Sequence, residues 1–397
     1  MAFKNVAIPY GAYWSSPFCR WQRSLAQEHS IELAARTATR FLASRHIEPS
    51  AFDGIVLGFT VPQAHCFYGA PWLAGMIGMT NMTGPNVSQA CATSARALLT
   101  GAAEVETGLR QNVLCVACDR TSNGPHVYYP NPRGIGGRGE PEDPVWDNFN
   151  KDPHAGQAMI QTAENVVRAA GIRREEQDAM VALRHRQYAD ALANDRAFQR
   201  RYMLPVEIGR GKKATQVAAD EGISPLTEEE IAQLKPVLEG GIVTSAGQTF
   251  PADGNAGIVV CSNDRAMELS HDKNVRIHVV GFGEARVAPA MMPMAVVPAA
   301  RAALEHAGVG LSDCKAIKTH NPFVINDVYF CKETGTPPEK LNRFGSPLVY
   351  GHPQGPTGMR AMIELCEELV MLGGGYGLFT GCAAGDTAMA IVISVDG

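Results

Sequence analysis

Short apolar runs alternate with amphipathic stretches from the first residues of the chain. The run Asn5-Val-Ala-Ile-Pro-Tyr-Gly11 reads as a strand, the spacing predicts a helix from Ser30 to Arg45, and Phe52 to Phe59 reads as the next strand. A second strand and helix are predicted across Pro85 to Glu106, and Asn112 to Ala117 is another apolar run of strand length. This alternation predicts an α/β fold. The word AARTATRFLASRHIEPSAFDGIV from Ala34 resembles AARAALEHAGVGLSDCKAI from Ala299, each reading as helix, short acidic turn and strand. That distance is far beyond any solenoid period, so two duplicated halves are expected rather than a repeat array.

Between the halves, Thr121 to about Gly240 changes character. It opens on the turn-rich NPRGIGGRGEPEDP, continues with the charged helical stretch REEQDAMVALRHRQYADAL and contains the basic run Arg210 to Lys213. The expected organisation is a first core half over 1–120, completed by about 241–270, an inserted loop domain over 121–240, and a second core half over 271–397.

Composition narrows the function classes. Of 397 residues 45% are hydrophobic and 19% charged, which excludes a disordered chain, and the formal charge of -5 without a basic stripe argues against a nucleic-acid partner. No membrane-length apolar run and no leader pattern is seen, so a cytoplasmic protein is expected, with no membrane contact. The ten cysteines are irregularly spaced and are read as reduced thiols.

Two motif-like matches fail on context. Gly134, Gly136 and Gly139 have dinucleotide-binding spacing, but Tyr-Tyr-Pro-Asn-Pro precedes them and Glu-Pro-Glu-Asp-Pro follows, leaving no strand and helix to cradle pyrophosphate. Cys115 and Cys118 have metal-pair spacing, yet on a strand residues three apart face opposite ways, and no second pair completes a zinc site. Stronger chemistry lies in Asn86-Val-Ser-Gln-Ala-Cys91-Ala-Thr-Ser-Ala-Arg-Ala, a cysteine at the junction of an extended segment and a small-residue helix. The helix N-terminus is expected to lower the Cys91 pKa. His320 in Lys318-Thr-His-Asn-Pro-Phe323 and His352 in Gly351-His-Pro-Gln-Gly-Pro-Thr-Gly358 sit among turn formers, unlike core histidines, and the turns around His352 can hold its imidazole in a cavity, where a cysteine meeting it would be an activated nucleophile. Thr380-Gly-Cys382-Ala-Ala-Gly-Asp386 puts a further cysteine on a tight loop before the terminal strand.

In this order and at these distances, the four segments resemble the thiolase superfamily over nearly the whole chain. MIQTAEN from Met159 resembles the segment lining the pantetheine channel, and TSAGQTFPADG resembles the entry to the strand that returns to the core. The resemblance implies a thiolase-like fold of two pseudo-symmetric α/β/α/β/α halves. It implies ping-pong acyl transfer, either thiolytic cleavage of a 3-ketoacyl-CoA as in beta-oxidation or the reverse Claisen condensation. Cys91 would be the nucleophile, His352 its base and Cys382 the acid/base at the α-carbon. Oxyanion donors would be the backbone N–H groups of Cys91 and Ala384 for the acyl-enzyme, with His320 and His352 for the enolate. Met159, Thr249 and Phe323 would contact coenzyme A. Coenzyme A and acyl-CoA are expected as substrates, with no tightly bound cofactor and no metal.

The sequence also departs from the family pattern. His320-Asn321-Pro322-Phe323 replaces an asparagine-glutamate-alanine-phenylalanine block and resembles sterol-carrier-protein-type thiolases. Ala383 and Ala384 replace a glycine-rich pair, and Ala158 stands where a histidine often contacts the cofactor. Aromatics crowd Tyr10 to Phe18 where an arginine-threonine-proline block is absent, and together these departures suggest an atypical acyl group, bulky or aromatic. The resemblance further implies a homodimer or homotetramer. Two other readings stay open: a related acyl-CoA condensing synthase, and a non-catalytic or partner-dependent subunit working beside a small zinc-ribbon and OB-fold protein. Cys382 argues against the first, and the joint presence of Cys91, His352 and Cys382 against the second.

Overall fold

A computed structural model describes residues 2–209, 211 and 214–396, so of the basic run Arg210 to Lys213 only Gly211 is among the described residues. The first part contributes β1 (Ala7–Pro9), β2 (Tyr13–Ser15), β3 (Cys19–Arg20), α1 (Ser30–Ser44), β4 (Gly54–Gly58), α2 (Gly69–Met76), β5 (Asn86–Val87), α3 (Thr93–Glu106) and β6 (Asn112–Arg120). Next come the hairpin β7 (Val127–Tyr129) and β8 (Glu140–Glu142), then α4 (Trp146–Asn150), α5 (Met159–Ala170), α6 (Arg174–Arg196), the pair β9 (Val206–Ile208) and β10 (Thr215–Val217), and α7 (Glu228–Gln233). The chain then runs through β11 (Ala252–Cys261), α8 (Asn263–Leu269), β12 (Arg276–Arg286), α9 (Val296–Ala307), β13 (Cys314–His320), α10 (Ile325–Thr334), α11 (Pro347–Tyr350), α12 (Pro356–Met371), β14 (Gly375–Ala383) and β15 (Thr387–Asp396).

One mixed sheet follows the order β13-β14-β15-β12-β1-β11-β6-β4-β5, with β2 and β3 also paired to β11. It reads alike from its middle outward. The parallel pair β4 and β6 on one arm has its counterpart in β13 and β14 on the other, and β11 and β15 stand in equivalent antiparallel places. The helix, turn and strand of the repeated sequence word are α1 into β4 and α9 into β13.

Strand alternation explains the layers. On β6, Val113, Cys115 and Ala117 face one apolar cluster, while Leu114, Val116 and Cys118 face another. On β15, Met389, Ile391 and Ile393 face the first cluster, and Ala388, Ala390 and Val392 a third. The shared cluster holds α3 and α12, so these two helices lie between the arms, with α1 and α2 outside one arm and α9 outside the other. Every residue of α12 from Pro356 to Leu369 is buried, as expected of a helix covered on all sides. Cys115 and Cys118 are buried on opposite faces and serve as packing. Gly134 to Gly139 lie in the tip of the β7–β8 hairpin rather than ahead of a helix.

The intervening region is bound to the core by two fully buried ion pairs. Arg360 on α12 forms a bidentate pair with Asp220 at 2.7 and 2.8 Å and stacks 3.8 Å from the Tyr350 ring. Arg184 on α6 reaches Asp327 on α10 at 2.8 Å. Removing one partner of such a pair costs about 3–5 kcal/mol, because a charge is left buried alone. Trp14 and Phe18 are wholly buried, Trp14 against Phe41 and Phe18 beneath Arg360. The crowded aromatics of the N-terminus are therefore core packing, which removes the support they lent to an aromatic acyl group.

Candidate active site

Cys91 lies in the turn between β5 and α3, two residues before the first helical position. Thr93 locks that turn, its hydroxyl donating to the Ala90 carbonyl at 2.7 Å and accepting from the Gln89 N–H at 2.9 Å. His352 follows α11 through Gly351, whose φ of +95° few side-chain-bearing residues adopt. Although 261 positions apart, Cys91 and His352 meet, with Nε2 3.2 Å from the cysteine Sγ. The imidazole Nδ1 lies 2.6 Å from the Thr357 hydroxyl on α12. In the tautomer with Nε2 accepting from the thiol, Nδ1 carries the ring hydrogen and donates it to Thr357.

The His352 loop is also gripped from the other arm. Gly355 N–H donates to Asp119 at the end of β6 (2.8 Å), and Ser94 donates to the Gly355 carbonyl. A side chain at Gly355 would run into the Asp119 carboxylate, its Cβ 2.8 Å from the oxygen. Asp119 further accepts from Thr60 N–H and hydroxyl and from Val61 N–H. Burial pushes its carboxyl up to about 7 against these hydrogen bonds.

His320 ends β13, directly beside Gly381 of β14 in the parallel register. A Cβ at Gly381 would come within 2.7 Å of the His320 Cβ, so the glycine lets histidine and Cys382 occupy neighbouring strand ends. The His320 ring centre is 4.3 Å from that of His352. Asn321 braces the following turn, donating to Asp327 at 2.7 Å and accepting from Leu348 N–H at 3.2 Å. The segment predicted to return to the core passes between the histidine loops: Thr249 N–H donates to the Pro322 carbonyl at 2.8 Å, and His352 N–H to the Phe250 carbonyl at 2.9 Å.

Both histidines are buried and held neutral. Burial takes His320 down to about 3, and burial together with the neighbouring His320 takes His352 well below the usual imidazole range. The expectation of a lowered Cys91 pKa is overturned, since burial pushes its thiol up to about 12 while N–H groups of Ala384 and Cys91 itself pull the other way. Loss of water around the sulfur outweighs the helix terminus, so the resting pair is thiol and imidazole rather than thiolate and imidazolium. Burial likewise pushes the Cys382 thiol up, the nearby Cys91 adds to this, and the Asn326 amide opposes it.

Thus Cys91, His320, His352, Cys382 and Ala384 come together. Donor atoms of Cys91, His320 and His352 lie within 4.8 Å of one another, a set that would also accept a soft divalent ion. Phe323 is buried beside His320, while Met159 is half-buried at the first position of α5. Thr249 borders the same loop, but its hydroxyl is engaged by the Pro347 carbonyl at 2.6 Å. Sequence reasoning missed Asp119, Asn326, Gln354 and Thr357. Gln354 and Thr357 carried a signal in standing within the turn-rich block around His352, and Asp119 in being an acidic residue at the carboxyl end of a buried strand in an α/β fold.

The thiolase N-terminal domain model matches residues 13–264 and the thiolase C-terminal domain model residues 273–395. Over 393 residues the chain is 27% identical to the mitochondrial 3-ketoacyl-CoA thiolase of Rattus norvegicus, covering 97% of this chain and 95% of that protein. The crystal structure of human mitochondrial 3-ketoacyl-CoA thiolase in complex with CoA superposes with a TM-score of 0.90 at 25% identity, and that of the Bacillus anthracis acetyl-CoA acetyltransferase with 0.90 at 28%. Both superpositions cover 99% of each chain.

Proposed function

The chain belongs to the thiolase family and is an acyltransferase, and from that premise we propose that it cleaves a 3-ketoacyl-CoA with coenzyme A, or runs the reverse condensation, through an acyl group on Cys91. The observation that carries this reading is the 3.2 Å approach of His352 Nε2 to the Cys91 sulfur beside the Cys382 loop. His352 takes the Cys91 proton as Sγ bonds to the 3-keto carbon. The bond between C2 and C3 breaks, its electron pair passes to the acetyl-CoA enolate, and Cys382 protonates that carbon. The Cys382 thiolate then takes the proton of an incoming coenzyme A thiol, whose sulfur attacks the acyl-enzyme. Cys91 departs and recovers its proton from His352.

In this reading N–H groups of Cys91 and Ala384 serve the thioester oxygen, and His320 with His352 serves the enolate oxygen. The direct imidazole donor of a sterol-carrier-protein-type site is supported by the two unpartnered nitrogens of buried His320. Met159, Thr249 and Phe323 belong to the coenzyme A face of the site, Thr249 through its backbone, its hydroxyl being taken. The domain division at about 120, 240 and 270 is supported by the matched sheet arms. A homodimer or homotetramer is supported by the exposed Phe67, Tyr68 and Ile135 side chains, and a small zinc-ribbon and OB-fold protein is the alternative cover for them. Ten free cysteines favour a reducing compartment, the cytoplasm in this reading. No helix among the described residues is long and apolar enough to cross a membrane.

The test is intact-protein mass spectrometry after incubation with a panel of acyl-CoA and 3-ketoacyl-CoA esters. An adduct present in the wild type and missing in Cys91→Ala is expected, its mass naming the acyl group. Absence of any adduct would remove the covalent mechanism.

A further inference from the structure

Gln354, in the loop after His352, is 6% exposed and lies against the nucleophile, its Oε1 3.5 Å from the Cys91 sulfur. Its backbone is left-handed, with φ of +59°. Such a conformation costs a side-chain-bearing residue roughly 1–2 kcal/mol and costs glycine nothing, so a residue needed only for the turn would more simply be glycine. Among the described residues the side-chain Nε2 makes no hydrogen bond to protein, which leaves that end of the amide free.

The Cys91 thiol has one proton and two acceptors facing it, His352 Nε2 and Gln354 Oε1. Once the proton moves to His352, the sulfur becomes an anion and the amide oxygen faces it unfavourably. The terminal torsion of glutamine is broad and roughly two-fold, so a half-turn exchanges oxygen for N–H at little cost. With Nε2 unbonded to protein, this rotation breaks no protein hydrogen bond beyond the one at Oε1. An N–H donated to a thiolate is charge-assisted and stronger than the thiol-to-carbonyl bond it replaces.

We propose that Gln354 is a further catalytic residue of the acyl-transfer step, its amide accepting from the Cys91 thiol at rest and donating to the sulfur once the proton has passed to His352. This rests on the covalent role of Cys91. Gln354 exchanges no proton itself; it stabilises the anion that His352 creates and keeps the sulfur aimed at the thioester carbon.

The test compares Gln354→Met, which keeps length and bulk without the amide, with Gln354→Gly, which relieves the backbone and removes the side chain. Single-turnover acylation by a saturated acyl-CoA and the pH dependence of Cys91 alkylation by iodoacetamide are both measured. The expected result is acylation slowed by about 10-fold or more in both variants, with the alkylation limb moved to higher pH. Wild-type behaviour of Gln354→Met, or slowed acylation with an unmoved limb, would overturn the proposal by reducing Gln354 to packing. The thiolase reading fails separately, if no ester acylates Cys91 in the wild type.

Discussion

Around Cys91 the imidazole and the loop that carries it are held by protein: His352 has the thiol on one nitrogen and Thr357 on the other, and Asp119 accepts from three backbone N–H groups and one hydroxyl. Around Cys382 the imidazole is not held in this way. His320 is fully buried with neither ring nitrogen hydrogen-bonded to protein, and the fully buried Asn326 amide faces the Cys382 thiol. The contrast separates two tasks. On the Cys91 side the imidazole is already positioned by protein hydrogen bonds, whereas on the Cys382 side a buried imidazole has no protein partner.

Mutations on the two sides should therefore fail differently. The largest effect is expected for His352→Ala, which removes the base for Cys91 and one enolate donor; acylation should fall by about 10^4-fold, the upper end for a general base, in single-turnover mass spectrometry. Cys382→Ser should follow, with carbon–carbon bond formation or cleavage reduced by about 1000-fold while a saturated acyl-CoA still loads Cys91. His320→Ala should slow the same step by about 100-fold to 1000-fold, the usual loss for one oxyanion donor, again sparing acylation. A smaller loss, about 10-fold in acylation, is expected for Thr357→Val, since the ring keeps its place but loses the acceptor that fixes its tautomer; such a hydrogen bond is worth about 1 kcal/mol.

The comparison also makes a pH prediction. Both histidines are depressed by burial, so the stability they contribute as neutral groups is present above about 6.5 and is lost as pH falls toward the folded value, about 3 for His320. Nitrogen-15 NMR at pH 5.5 should find both rings neutral, and thermal unfolding should weaken below pH 6.5. An imidazolium signal from either residue at that pH would remove the neutral thiol–imidazole pair.

What the sequence revealed of this site was local. Glycines and prolines mark the loops around His320, His352 and Cys382, and the small-residue helix after Cys91 marks the fourth segment, because turn chemistry is written in neighbouring residues. The α/β alternation was readable for the same reason. What stayed hidden depends on partners far away in the chain: Asp119 reaches Gly355 across 236 positions, and Gln354 reaches Cys91 across 263. Helix-terminus reasoning gave the wrong direction for the Cys91 thiol because burial, a tertiary property, dominates it. The aromatics near the N-terminus pointed to a ligand and turned out to fill the core, since periodicity alone does not say which apolar surface meets solvent or substrate.

The central claim is that one sulfur carries the acyl group and the other handles the α-carbon proton. It is tested most directly in Cys382→Ser by measuring, in one sample, the acyl load on Cys91 from acetyl-CoA and deuterium uptake from D2O at the acetyl-CoA methyl. Normal loading with deuterium uptake lost is the predicted result; normal uptake, or loss of loading in step with uptake, would contradict the division of labour.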